Sequence, residues 1–111
     1  MLSDAGIDYA EGLGRFCGKA AMYEKYLSRF PEDPNFDELL LALKQEKYKD
    51  AFIYAHTLKG VAGNLSLHRL YEDVAPLVEA LREGQLSELD TLTERTRQSY
   101  LLAIAAIKAQ G

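Results

Sequence analysis

From residue 35 onward, apolar side chains return at the 3.6-residue period of an α-helix, and this periodicity constrains the fold more than any other feature of the chain. Between residues 35 and 45, Phe36, Leu39, Leu40 and Leu43 follow the i, i+3, i+4, i+7 pattern of an amphipathic helix. Residues 49 to 65 repeat the theme with Ala51, Tyr54, Ala55, Leu58, Val61, Ala62 and Leu65. A third run, from His68 to about Arg82, turns Leu70, Val74, Leu77, Val78 and Leu81 inward, with Ser66 as a candidate N-cap and Gly84 just past its end. Pro76 lies inside that run and is expected to kink it or mark a break. The last run, from Ser87 to about Ala109, places Leu89, Leu92, Thr96, Leu102, Ala103, Ala106 and Ile107 on its apolar side.

Two shorter helices are expected upstream. Asp8, with Glu11 three residues later, resembles a capping pair opening a helix over residues 8 to 15, and Gly12, Gly14 and Gly18 keep it short. Residues 19 to 30 carry Ala20, Tyr23, Leu27 and Phe30 on one stripe, ended by Pro31 and Pro34. Several amphipathic helices joined by short loops predict an all-α fold, an antiparallel four-helix bundle with one or two short extra N-terminal helices, forming one domain over residues 1–111.

Composition narrows what such a bundle can do. Hydrophobic residues at 48% and charged residues at 27% supply a core and exclude a disordered chain. The single cysteine, Cys17, excludes an internal disulfide and a multi-cysteine zinc site; it is expected to be a small buried apolar residue in a reducing compartment. A net charge of −4 with scattered Lys and Arg argues against nucleic-acid binding, which needs a concentrated basic face. No apolar run approaches the roughly 18 residues that span a bilayer, and the N-terminus lacks the order of a signal peptide. The expectation is a cytoplasmic monomer that does not insert in a membrane, although a domain of a membrane-anchored protein would read the same way.

The candidate site lies on residues 49 to 65. At about 100° per residue, the side opposite the apolar stripe collects Lys49, Phe52, His56, Lys59, Gly60 and Gly63. Glycine inside a helix costs roughly 0.5–1 kcal/mol against alanine, so two on one outer face suggest that something must approach closely beside His56. An imidazole nitrogen can attack phosphorus without a separate general base, and Lys59, one turn on, can place its ammonium near a phosphoryl group on the ring. No acidic cluster accompanies His56 in sequence, so the chain by itself should do no net chemistry.

The stretch Ala55-His56-Thr57-Leu58-Lys59-Gly60-Val61-Ala62-Gly63-Asn64-Leu65 closely resembles the signature of histidine phosphotransfer (HPt) domains, the phosphorelay modules of two-component signalling. His56, Lys59, Gly60 and Gly63 match the family pattern position by position, and weaker similarity runs upstream from Ile7-Asp8 through Gly12-Leu13, Arg15-Phe16, Gly18 and Tyr23 to Leu27 and Phe30. Ser66 departs from the pattern, a glycine being common there, which bears on how the helix ends. The resemblance implies a phosphocarrier rather than an enzyme. His56 would be the phosphorylated nucleophile, Lys59 the charge stabiliser, and Gly60 and Gly63 the means of access. It also implies a partner, a response-regulator receiver domain or a hybrid sensor histidine kinase, that docks over Phe52, Lys49 and parts of residues 19 to 30. The chain itself would need no cofactor, the Mg²⁺ and acidic pocket belonging to the receiver.

Plainer readings stand beside these. His56 could be a solvated polar residue and Lys59 a surface lysine. Gly63 could cap the helix with Asn64, and Phe52 could be core rather than docking surface. His68 is expected to be a polar residue at a helix start, and a metal site joining both histidines lacks ligands at helical spacing. Two rival functions follow: a docking-only bundle that binds receivers without chemistry, and a helical metal or cofactor protein.

Overall fold

The computed structural model describes residues 2–110, so the two end residues of the expected 1–111 unit lie outside it. Six α-helices follow one another: α1 (Tyr9–Arg15), α2 (Ala20–Arg29), α3 (Asn35–Lys44), α4 (Tyr48–Asn64), α5 (His68–Glu83) and α6 (Leu89–Gln110). Single 3₁₀ turns occupy Ser3–Ala5 and Phe30–Glu32. No strand occurs among the described residues, which carry one isolated bridge between Ile7 and Leu67. Helices α3 to α6 form the bundle, each packing on the next, while α2 lies against α6 and α1 against α2. No helix of the described residues is long and apolar enough to cross a membrane.

The helices bury the stripes that their periodicity predicts. Leu39 of α3, Ala51, Ala55, Leu58 and Ala62 of α4, and Leu70, Val74, Leu77 and Val78 of α5 lie at or near zero exposure. Burying each Leu or Val stabilises the fold by about 1.5–3 kcal/mol. Three of the four inward residues of α4 are alanines, whose small side chains let α3 and α5 pack closely on either side. Tyr54 and Val61 sit at the margin of that stripe, half-buried. Tyr100 of α6 stacks on Phe36, with centroids 4.2 Å apart, and meets Phe30 edge-on, joining the start of the bundle to its end.

Several details differ from the sequence-based expectation. On α6, Leu102 faces solvent, and the inward positions are instead Ser99 and Tyr100. Ser99 is buried because its hydroxyl donates to the Asp73 carboxylate of α5, and Thr96 beside it donates to the carbonyl of Asp73 at 3.2 Å. Pro76 does not break α5, which runs through it to Glu83. Cys17 is exposed, not buried. The reason is local: Cys17 has φ of 56° and Gly18 of 77°, and this left-handed corner swings the chain outward between α1 and α2.

The same turn ends three more helices. After α3, Glu46 has φ of 56° and Lys47 N–H donates to Ala42 C=O at 2.8 Å; after α5, Gly84 has φ of 70° and Gln85 N–H donates to Ala80 C=O at 2.9 Å. After α4 the left-handed residue is Ser66, with φ of 58°, and Leu67 N–H donates to Ala62 C=O at 2.9 Å. Ser66 is therefore the terminator of α4 and not the N-cap of α5, which has no side-chain cap. Left-handed backbone is also what makes glycine suitable there.

Candidate functional site

His56 stands on the outer flank of α4, exposed, one position after the fully buried Ala55. Among the described residues no hydrogen bond or ion pair engages its ring. It touches Phe52, one turn earlier, with ring centroids 5.8 Å apart and planes inclined by 36°. A neutral imidazole in this setting keeps one nitrogen lone pair facing water, free to act as a nucleophile.

Phe52 is half-buried, packed against the core below while meeting His56 above, so it is in part a core residue. Its face carries a cation from the neighbouring helix: the Arg82 guanidinium lies 5.0 Å from the ring centroid and is itself held by Glu79 through a 3.3 Å Nε–Oε2 contact. Lys49, two turns before His56, is exposed. Ile53, at i−3 from His56, is 56% exposed and adds an apolar patch that the helical wheel had not singled out.

Lys59 is half-buried, with its ammonium 5.4 Å from the centroid of the Tyr71 ring on α5. The two glycines differ. A Cβ on Gly60 would meet nothing within 4 Å, so the backbone beside His56 is open, and no packing demand accounts for the missing side chain. A Cβ on Gly63 would approach the Tyr71 ring to 3.3 Å, so packing against α5 does account for a glycine there, contrary to the expectation of an outer face without neighbours. Gly63 is also within α4, whose last residue is Asn64, so it is not the residue that caps the helix.

On the α2 side of α4, Phe16, Met22, Tyr26, Val61, Asn64 and Leu65 line a groove of about 970 Å³, and Met22 and Tyr26 are exposed along it. The groove borders the C-terminal half of the helix that carries His56.

A second polar cluster lies at the turn between α4 and α5, and helical spacing could not reveal it because its members are far apart in sequence. Asp8 caps α1 by accepting the Glu11 N–H at 3.0 Å. Glu11 Oε1 accepts from Ser66 Oγ at 2.8 Å and Arg15 Nε at 3.3 Å, and lies 3.0 Å from His68 Nε2. The Ser66 hydroxyl, helped by Arg15 and His68, holds the Glu11 carboxyl below its ordinary range. One ligand atom each from Asp8, Glu11 and His68 fall within 4.8 Å of one another, a spacing a metal ion could bridge. The Glu11 oxygen is already shared by three partners, however, so the cluster has the character of a polar clasp. His68 opens α5, as expected, and is engaged by these acids rather than by His56.

In comparison with protein families, the model described as the Hpt domain matches residues 21–109. Neither the curated proteins nor the solved structures give a match.

Proposed function

The chain belongs to the Hpt domain family, the phosphotransfer modules of two-component signalling, and from that premise we propose that His56 carries a phosphoryl group between receiver-domain aspartates. The observation that carries the proposal is the exposed, unengaged imidazole beside the open backbone of Gly60. In the forward step an imidazole nitrogen attacks the phosphorus of a partner's aspartyl phosphate. An N–P bond forms, the P–O bond breaks, and its electron pair leaves on the carboxylate. In the reverse step a carboxylate oxygen attacks and the pair returns to nitrogen. The Mg²⁺ that assists this transfer belongs to the receiver's acidic pocket.

Lys59 is proposed to stabilise the phosphoryl charge. At rest its ammonium lies over Tyr71, an interaction worth about 0.5–1 kcal/mol at an exposed site, whereas a hydrogen bond to a charged group is worth about 1.5–3 kcal/mol. A phosphoryl group on His56 therefore draws the ammonium from the ring. Gly60 admits the partner, and Gly63 contributes to access less directly, since Tyr71 lies against it. Lys49, Phe52 and Ile53 on α4, with Met22 and Tyr26 on α2, offer a docking face for the receiver domain of a response regulator or a hybrid kinase.

The direct test is to incubate the protein with receiver domains from the same genome, each labelled on its aspartate, and to follow the label. Acid-labile label on wild type and none on His56→Gln is the expected result. Binding of a receiver without label on wild type would leave the docking-only alternative, and equal labelling of His56→Gln would move the site elsewhere.

A further inference from the structure

A nucleophile on a helix surface has to be held as well as exposed. In a helix the side chain leans toward the N-terminal turn, so the residue one turn before a histidine is the natural wall for its ring. Here that wall is Phe52, with its centroid 5.8 Å from that of His56. The core fixes Phe52 from beneath, and Arg82 covers it from α5 at 5.0 Å, with Glu79 holding the guanidinium in turn. Arg82 and Phe52 stand on different helices, so their contact ties the side chain that touches His56 to the α4–α5 interface.

We infer that Phe52 and Arg82 are positioning residues: the ring of Phe52 restrains the His56 imidazole in one orientation, and Arg82 acts through Phe52 by pinning that ring. The inference rests on His56 as the phosphoryl acceptor. It assigns Phe52 a part in the rate of transfer, apart from any part in docking. An unrestrained imidazole would spread over the staggered side-chain wells, leaving a smaller fraction aligned for attack.

Single-turnover transfer from a phosphorylated receiver separates the maximal rate from the half-saturating receiver concentration. Phe52→Leu should lower the maximal rate at saturating receiver about three- to tenfold, whatever it does to the half-saturating concentration through the docking face, and Phe52→Tyr should restore that maximal rate. Arg82→Met should lower the rate about two- to fivefold, matching the loss of an exposed cation–π contact, and should cost nothing further in the Phe52→Leu background. A wild-type rate for Phe52→Leu, or a loss confined to half-saturation, overturns the role of Phe52. An undiminished Arg82 effect in the Phe52→Leu background overturns the coupling between them. Because Phe52 also packs on the core, a second measurement reads the contact itself: NMR cross-relaxation should connect the His56 and Phe52 ring protons in the wild type, and its absence overturns the contact. That spectrum stays readable even if no receiver labels His56, so failure of the phosphocarrier role and failure of this inference are distinguishable.

Discussion

At the scale of single residues, the proposed function separates the site into groups that react, groups that hold and groups that keep clear. Lys59 belongs to the first kind in the proposed mechanism, and its placement makes that role separable from stability. Lys59→Ala removes an ammonium that rests over Tyr71 and forms no ion pair among the described residues, so thermal unfolding should change by no more than about 1 kcal/mol. Transfer to His56 should slow about ten- to hundredfold, the rate equivalent of losing a charged hydrogen bond worth about 1.5–3 kcal/mol. A retained rate would remove Lys59 from the mechanism. The outward direction of His56 was legible in the sequence because the buried set Ala51, Ala55, Leu58 and Ala62 fixes the wheel. What surrounds it was not: Arg82 on Phe52 and Tyr71 on Gly63 and Lys59 are contacts between helices, which the period of one helix does not contain.

At the scale of elements, the six helices were legible to within a few residues, and their ends were the least so. Gly84 marked the end of α5 because glycine is the common left-handed residue, but the same turn after α1, α3 and α4 is filled by Cys17, Glu46 and Ser66. Each of these carries a side chain into a conformation that costs roughly 1–2 kcal/mol for a residue with a Cβ. Ser66 recovers part of that cost through its hydrogen bond to Glu11, whereas Glu46 is exposed and accepts one long bond, at 3.4 Å, from Tyr48. Glu46→Gly should therefore stabilise the fold by about 1 kcal/mol, raising Tm by several degrees in a calorimetric scan. An unchanged or lower Tm would mean that this turn carries no strain. Pro76 and Leu102 misled in the opposite direction, since an internal proline did not stop α5 and an apolar residue did not face the core.

At the scale of the whole molecule, the N-terminal segment fastens onto the turn below the helix that carries His56. Asp8 N–H donates to Ser66 C=O at 3.0 Å, Arg69 N–H to Gly6 C=O at 3.3 Å, and the buried hydroxyl of Tyr23 to Leu65 C=O at 2.7 Å. Glu11 adds the charged part of this clasp, and its carboxyl is held below its ordinary value near 4.5, so the ionised form favours the folded state. That contribution is fully present above pH 4.5 and is lost as the pH falls through the lower folded value. Acidification from neutral pH should therefore lower the Tm of wild type more steeply than that of Glu11→Gln, with the two curves converging at the acid end; parallel curves would show that Glu11 is not linked to folding. The family match begins at residue 21, so much of this clasp comes from residues outside it, and no repeating pattern in the sequence connects positions 11, 66 and 68. The bundle thus keeps the His56 ring on an anchored strut, exposed to solvent. Water reaches that ring as freely as any protein does, so in the proposed role a phosphoryl group on His56 would have no shelter, and how long a message survived there would be a race between hydrolysis and the arrival of the next receiver.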